Sequence, residues 1–365
     1  MNPADCKILT SETAIAALAD GWNQLQARVG WNPFTQYSWF DAWWQSIGKP
    51  QGWTPHIVAY FKDGRLESVL PLATQKRRGL RRLEWAGAEW FDYCDALAAN
   101  PATADILWRT ARQSPHYDLA TIRDVHDNAV SRPALASFSK LLKKKEASYL
   151  DIAWPSGEAW LQSMPKKKRG VMRRRTNQMA EQKGPVEFKV ITQGPVDDDV
   201  LDTLMRQKTD WLKANGMKLL FDQPGGKDMF RRMVKAAAKE GELLLGQLTV
   251  GGALVACHLC YVRNGTLYSY QSSFELSWSN YSPGTVLLMN MVCYAADHGI
   301  KRFDHTRGAY AYKDKYSSGD VPLCDYSFSR SMLGKLAEHA MHAKAKWQAK
   351  KSKQTGKEPE TSDQD

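Results

Sequence analysis

"ELLLGQLTVGGALVACHLCYVRNGTLYSYQSSF", residues 242–274, decides the fold. Three runs rich in Leu, Val, Thr and Tyr are separated by Gly251-Gly252 and Asn264-Gly265. Such dipeptides supply the positive φ that tight hairpins need, so the stretch predicts an antiparallel three-stranded meander. Working outward, "NYSPGTVLLMNMVCYAADHGI" (280–300) has helical apolar spacing, and "KRFDHT" (301–306) follows as a strand. A meander, a helix and one more strand is an α+β plan rather than a doubly wound one.

Upstream, the pattern predicts helices over 166–183, 197–214 and 227–240, with the strand "VEFKVI" after the first. The first half of the chain repeats this order. "SETAIAALADGWNQLQARVG" and "TQYSWFDAWWQSIG" read as helices, and "HIVAYFK", Asp63-Gly64 and "RLESVLPLATQKR" as a hairpin. A helix near 101–114, the strand "YDLATIRDV", a helix near 132–145 and the strand "SYLDIAW" follow, and "CDYSFSR" closes the second half. The expected organisation is one domain over 1–155, a second over 156–330, and a basic helix with a disordered tail over 331–365. The Trp-rich "WFDAWW" and "LEWAGAEWFDY" read as core, with sugar stacking as the competing use.

The chain's 365 residues exceed one ordinary core, and its net charge of +11 is unevenly spread. Residues 166–183 hold eight basic side chains against one Glu, which points to an anionic partner or to a solvated face. Arg169 and Arg173 stand one helical turn apart, a spacing that grips phosphates or a guanine edge, so a cyclic dinucleotide or a nucleotide-linked sugar fits them. The six scattered cysteines read as reduced thiols, and "MNPADCKILTSETA" lacks the pattern of a signal peptide, so a cytoplasmic location is expected. Cys257 and Cys260 face opposite sides of a strand and have no second Cys-x-x-Cys, so no metal is expected. The tail "GKLAEHAMHAKAKWQAKKSK" is basic with apolar residues at helical intervals. It suits an acidic membrane surface, a partner enzyme or plain solvation.

In "YSPGT" Ser282 can cap, Pro283 suits the first helical position, and Gly284 admits close approach. The N–H groups of Gly284, Thr285 and Val286 would then face outward with the helix dipole behind them, forming a pyrophosphate site. Past the next strand, "FDHTRGAYAYKDKY" (303–316) gathers Asp304, His305, Arg307, Tyr312 and Lys313 around Gly308. It is either a polar loop or the floor of an active site.

The run from Tyr281 to Tyr316 resembles the CelD/BcsL group of GNAT acyltransferases, of the kind found in bacterial exopolysaccharide biosynthesis and related to the FemAB transferases. Pro283, Gly284, Gly299, Phe303, Asp304, Arg307, Gly308, Tyr312 and Lys313 carry that resemblance. "NPFTQYSWFDAWW", "VLPLA" and the basic helix extend it over roughly residues 30–330. It implies two tandem GNAT-like domains, each a mostly antiparallel sheet flanked by helices, with acyl-CoA held by the second. Acetyl-CoA would then lie against Ser282, Pro283, Gly284 and Thr285, with Gln271, Arg307 and Lys313 around it.

An amine must be neutral to attack a thioester, so a base is needed. Asp304 is the first choice and His258 the second, while Tyr312 would protonate the leaving thiolate. A strand N–H near Tyr270–Ser272 would meet the thioester oxygen. Each residue also has a structural reading: Asp304 as cap of the Arg307 loop, His258 and Tyr312 as packed side chains. Arg169, Arg173 and Asp92 are the residues expected to meet substrate or an anion. The family points to N-acetylation of an amino sugar, nucleotide- or lipid-linked, beside polysaccharide machinery at the inner membrane. The alternatives are a FemAB-like aminoacyl-tRNA-dependent transferase and a non-catalytic GNAT-fold effector that binds a cyclic dinucleotide.

Overall fold

The computed structural model describes residues 5–308 and 316–355, with side chains to Lys350. The chain divides into two units, Met1–Glu146 with Val321–Asp365, and Ala147–Asp320. In the first, β1 (Cys6–Leu9) leads to α1 (Glu12–Ala16), α2 (Ala19–Val29) and α3 (Tyr37–Trp43), the last continued by a π-turn over Trp44–Gly48. β2 (Thr54–Lys62), β3 (Arg65–Arg77) and β4 (Leu80–Trp85) form an antiparallel meander. Its first turn has Asp63 at φ 51 and Gly64 at φ 75, the conformation those residue types predict. α4 (Pro101–Gln113) returns the chain to β5 (Leu119–His126), parallel to β4, and α5 (Arg132–Phe138) follows. Trp22, Trp39, Trp43, Trp85, Trp90 and Trp108 are all buried, so the Trp-rich segments are core.

β6 (Lys140–Asp151) opens the second unit with its last five residues. The helix expected to reach residue 145 stops at Phe138, and the lysine-rich stretch is strand. Leu and Lys favour helix locally, but hydrogen bonding of the strand to a neighbour on each side, and burial of Ala147 and Leu150, override them. α6 (Gly157–Ser163) and α7 (Lys166–Lys183) precede β7 (Val186–Ile191), α8 (Asp198–Ala214) and α9 (Gly226–Glu240). The meander is β8 (Leu243–Val250), β9 (Ala253–Arg263) and β10 (Thr266–Phe274). α10 (Pro283–Asp297) and β11 (Arg302–Arg307) complete the order β6-β11-β10-β9-β8-β7.

The two units therefore share one plan: strand, helices, meander, helix, then a strand parallel to the meander's last. This is a mixed α/β fold of mostly antiparallel sheet flanked by helices. β12 (Gly319–Ser329) pairs antiparallel with β5 of the first unit. Phe328 explains the choice of partner, since its ring meets Trp108, Tyr117 and Phe138 edge to face at 5.3–6.3 Å. α11 (Met332–Thr355) ends the described chain.

Candidate active site in the second unit

β10 and β11 are laddered for three residue pairs only, Thr266–Tyr268 with Arg302–Asp304. Two features at the end of that ladder drive them apart. On β10 the register shifts between Ser269 and Gln271, so Tyr270 is the extra residue of a bulge. On β11, Thr306 takes φ 56, and the register with β6 shifts between Asp304 and Arg307. The opened strands stay tied at one point, where Thr306 Oγ1 donates to the Ser269 carbonyl at 2.8 Å.

Asp304 Oδ1 accepts the Thr306 N–H at 2.7 Å, and this bond holds the left-handed turn. The Asp304 carboxylate is buried and adjoins Tyr268 across the ladder, where burial and then the carboxylate's charge push the tyrosine hydroxyl up. His258 lies on the opposite sheet face, beside Ala256 and Cys260 of the core under α10. Its Nε2 is 2.7 Å from Ser269 Oγ. Ser269 and Thr306 thus join His258 and Asp304 into one set of contacts across β9, β10 and β11. Neither was singled out in the sequence, because neither residue type signals a bulge or a left-handed strand end.

A 3-10 turn over Leu276–Tyr281 connects β10 to α10. Ser282 occupies the N-cap, but at φ 50 and ψ 53 its side chain makes no cap bond. The N–H groups of Thr285 and Val286 turn back to the Ser282 carbonyl at 3.0 and 3.2 Å. Of the three amides expected to face a ligand, only that of Gly284 is left over. Gly284 also packs closely, since a Cβ there would meet the Phe274 ring at 3.3 Å. Beside this turn, the Tyr281 hydroxyl donates to Gln182 of α7, and Trp278 lies 5.6 Å from Tyr281 ring to ring. The basic helix thus borders the start of α10.

Within α7, Arg169 donates to the Gln162 carbonyl at 2.9 Å and to its side chain, while Arg173 is exposed. Gln271 and Arg307 are half-buried at the diverging strand ends. Tyr316 packs its hydroxyl 3.7 Å from Met289 Sδ of α10, with Lys168 5.6 Å above the ring. Tyr312 and Lys313 lie outside the described residues. Asp92 is a buried residue of the first unit. Its neighbour Asp95, fully buried, accepts N–H bonds from Trp31, Ala96, Val130 and Ser131, and burial pushes its carboxyl up to about 6. The Cys257 thiol is pushed up to about 12 by burial, which makes it an inert core group. Among the described residues no group of three or more His, Cys, Asp or Glu side chains is placed to hold a metal.

The equivalent place in the first unit is closed. β4 and β5 ladder over two pairs, and beyond them Trp85 Nε1 donates to the Arg123 carbonyl at 3.0 Å, so a buried indole spans the gap. The start of α4 is capped from within, with Asn100 Oδ1 accepting the Thr103 N–H at 3.0 Å.

Residues 166–314 match the family model of the acetyltransferase (GNAT) domain. The fold is that of the crystal structure of FemX, at 12% identity and a TM-score of 0.59, covering 92% of this chain and 99% of that one. It is also that of the C-terminal domain (DUF2156) of a protein from Agrobacterium fabrum described as a lysylphosphatidylglycerol synthetase, at 13% identity and TM-score 0.54, with 89% and 96% covered. No curated protein matches the sequence. The second unit accordingly carries a GNAT acetyltransferase domain, and the protein is an acyltransferase.

Proposed function

We propose that the second unit transfers an acetyl group from acetyl-CoA to the amine of an amino sugar, free or nucleotide- or lipid-linked, in surface-polysaccharide assembly at the inner face of the membrane. The observation that carries the donor reading is the α10 start, where Ser282 makes no cap bond and the Gly284 amide is left over by the turn that holds those of Thr285 and Val286. The sugar acceptor rests on the resemblance to the CelD/BcsL group.

In this reading the pantetheine arm enters between the parted strands and the pyrophosphate lies at Gly284, with Arg307 and Lys313 as neighbouring cations. The acceptor nitrogen gives up a proton, attacks the thioester carbon, and the C–S bond breaks as the tetrahedral intermediate collapses. The bulge at Tyr270 supports a role for this strand edge in meeting the oxyanion, because a bulge re-aims backbone groups. Asp304 receives the amine's proton through water, or orients that water, while its other duty is to hold the Thr306 N–H. Tyr312 returns a proton to the thiolate.

The test is release of CoA thiol from acetyl-CoA with glucosamine-type acceptors, in the wild type and in Asp304→Asn. Asparagine keeps an oxygen for the Thr306 N–H but lacks the charge. Turnover falls at least about 100-fold while acetyl-CoA affinity and melting temperature stay within error. Wild-type rates from Asp304→Asn would remove that residue from the chemistry.

A second reading, transfer from aminoacyl-tRNA, draws support from the eight cations of α7 beside the site. It requires activity that falls steeply with salt and thiol-free chemistry, so the same assay separates the two. A non-catalytic effector gripping a cyclic dinucleotide through Arg169 and Arg173 is less favoured, because Gln162 already occupies Arg169.

A further inference from the structure

α11 is amphipathic the wrong way round. Glu338, 2% exposed, accepts from the Ser327 and Ser329 hydroxyls of β12 at 2.9 and 2.7 Å and from Lys140 Nζ at 3.3 Å. His342, one turn on, lies 2.9 Å from the same Ser327 hydroxyl. Gly334 sets the distance, since a Cβ there would fall 1.9 Å from the Asp118 carbonyl of the first unit. The face turned toward the rest of its own unit is therefore small and polar.

The outward face is apolar. Met332 is 72% exposed, Leu333 53%, Leu336 68% and Trp347 62%, and Ala340 and Ala343 are exposed with them. At about 100° per residue, all six fall within about 60° of Leu336. Four of the five large exposed hydrophobic side chains among the described residues stand on this stripe, so it is no random scatter. Lys335, Lys344, Lys346 and Lys350 are exposed around it, and Glu338, the helix's one carboxylate over Met332–Lys350, is buried on the other side.

We propose that α11 is a membrane-surface helix: the Leu336–Trp347 stripe enters the interface of an anionic bilayer while the flanking lysines meet lipid phosphates. Charge selects this occupant over a second copy of the chain. Two such stripes placed face to face would bring lysine against lysine with no outward carboxylate to answer them. The helix lies on the surface rather than crossing, since no described helix is long and apolar enough to span. The inference does not depend on the acyl acceptor.

The test is co-sedimentation of the full chain with phosphatidylcholine vesicles, with and without roughly one third phosphatidylglycerol, alongside light scattering of the protein alone. Two variants are compared with the wild type: Leu336→Asp with Trp347→Asp, and Lys344→Glu with Lys346→Glu. All four positions are exposed, so circular dichroism should match the wild type. The wild type should bind anionic vesicles at least about tenfold more tightly than neutral ones, and each double variant should lose about tenfold or more. No binding to anionic vesicles, or binding that ignores both variants, overturns the proposal. So does a wild-type dimer in solution that Leu336→Asp dissolves, which would assign the stripe to a second copy.

Discussion

At Thr306 a β-branched residue is held at φ 56, a region that costs such side chains on the order of 1–2 kcal/mol. Two hydrogen bonds hold it there, the N–H to Asp304 Oδ1 and the hydroxyl to the Ser269 carbonyl. Thr306→Val keeps the shape and deletes the second bond. It should lose about 1 kcal/mol of stability in denaturant titration and several-fold in acetyl-CoA affinity, because the mouth between the strands is no longer fixed. A variant that binds donor like the wild type would show the tie to be structural only. A different residue sets the acid response. His56 is buried in the first unit, and desolvation followed by the charge of His116 pulls it down to about 4. Its folded value lies below the unfolded one near 6.5, so the unfolded chain takes up the proton first and stability is lost as pH falls from about 6.5 to about 4. Between about pH 7.5 and about pH 5 this amounts to roughly 2 kcal/mol. His56→Phe should narrow the stability gap between those two pH values by that amount, and an unchanged gap would assign the acid response to other groups.

At the scale of elements, everything proposed for the site depends on where α10 sits. Two glycines let it approach its neighbours: a Cβ on Gly246 of β8 would lie 2.3 Å from Met291 Sδ, and one on Gly157 of α6 would lie 2.7 Å from the Cys293 backbone. The second contact is with main chain and cannot be relieved by a rotamer. Gly157→Ala should therefore cost about 1–3 kcal/mol and weaken donor binding by shifting α10, both readable from melting and titration of one sample. A melting curve identical to the wild type's would deny that contact. The meander and α10 were legible in the sequence because Gly251-Gly252, Asn264-Gly265 and Pro283 are local signals: the two turn dipeptides take the positive φ they favour, and Pro283 stands at the first helical position. Of β6 only the end was legible, as the strand "SYLDIAW"; over Lys140–Lys145 Lys and Leu report helix preference, and the strand is made by its hydrogen bonding to distant neighbours, β12 and β11. The pairing of β12 with β5 joins residues about 200 positions apart, beyond the reach of any periodicity.

At the scale of the whole molecule, the repeated plan was visible as repeated order, but the difference between the copies was not. It lies in one indole hydrogen bond, Trp85 to Arg123, and in which helix start is capped by its own side chain. Those contacts separate a closed first unit from a second unit with parted strands and a helix start that no side chain caps. The most direct test is a calorimetric titration of the full chain with acetyl-CoA, repeated on Gly284→Trp and on Trp85→Phe. One equivalent bound by the wild type and by Trp85→Phe, and none by folded Gly284→Trp, is the predicted result. No binding to the folded wild type, two equivalents, or a site that survives Gly284→Trp would contradict a donor held by the second unit.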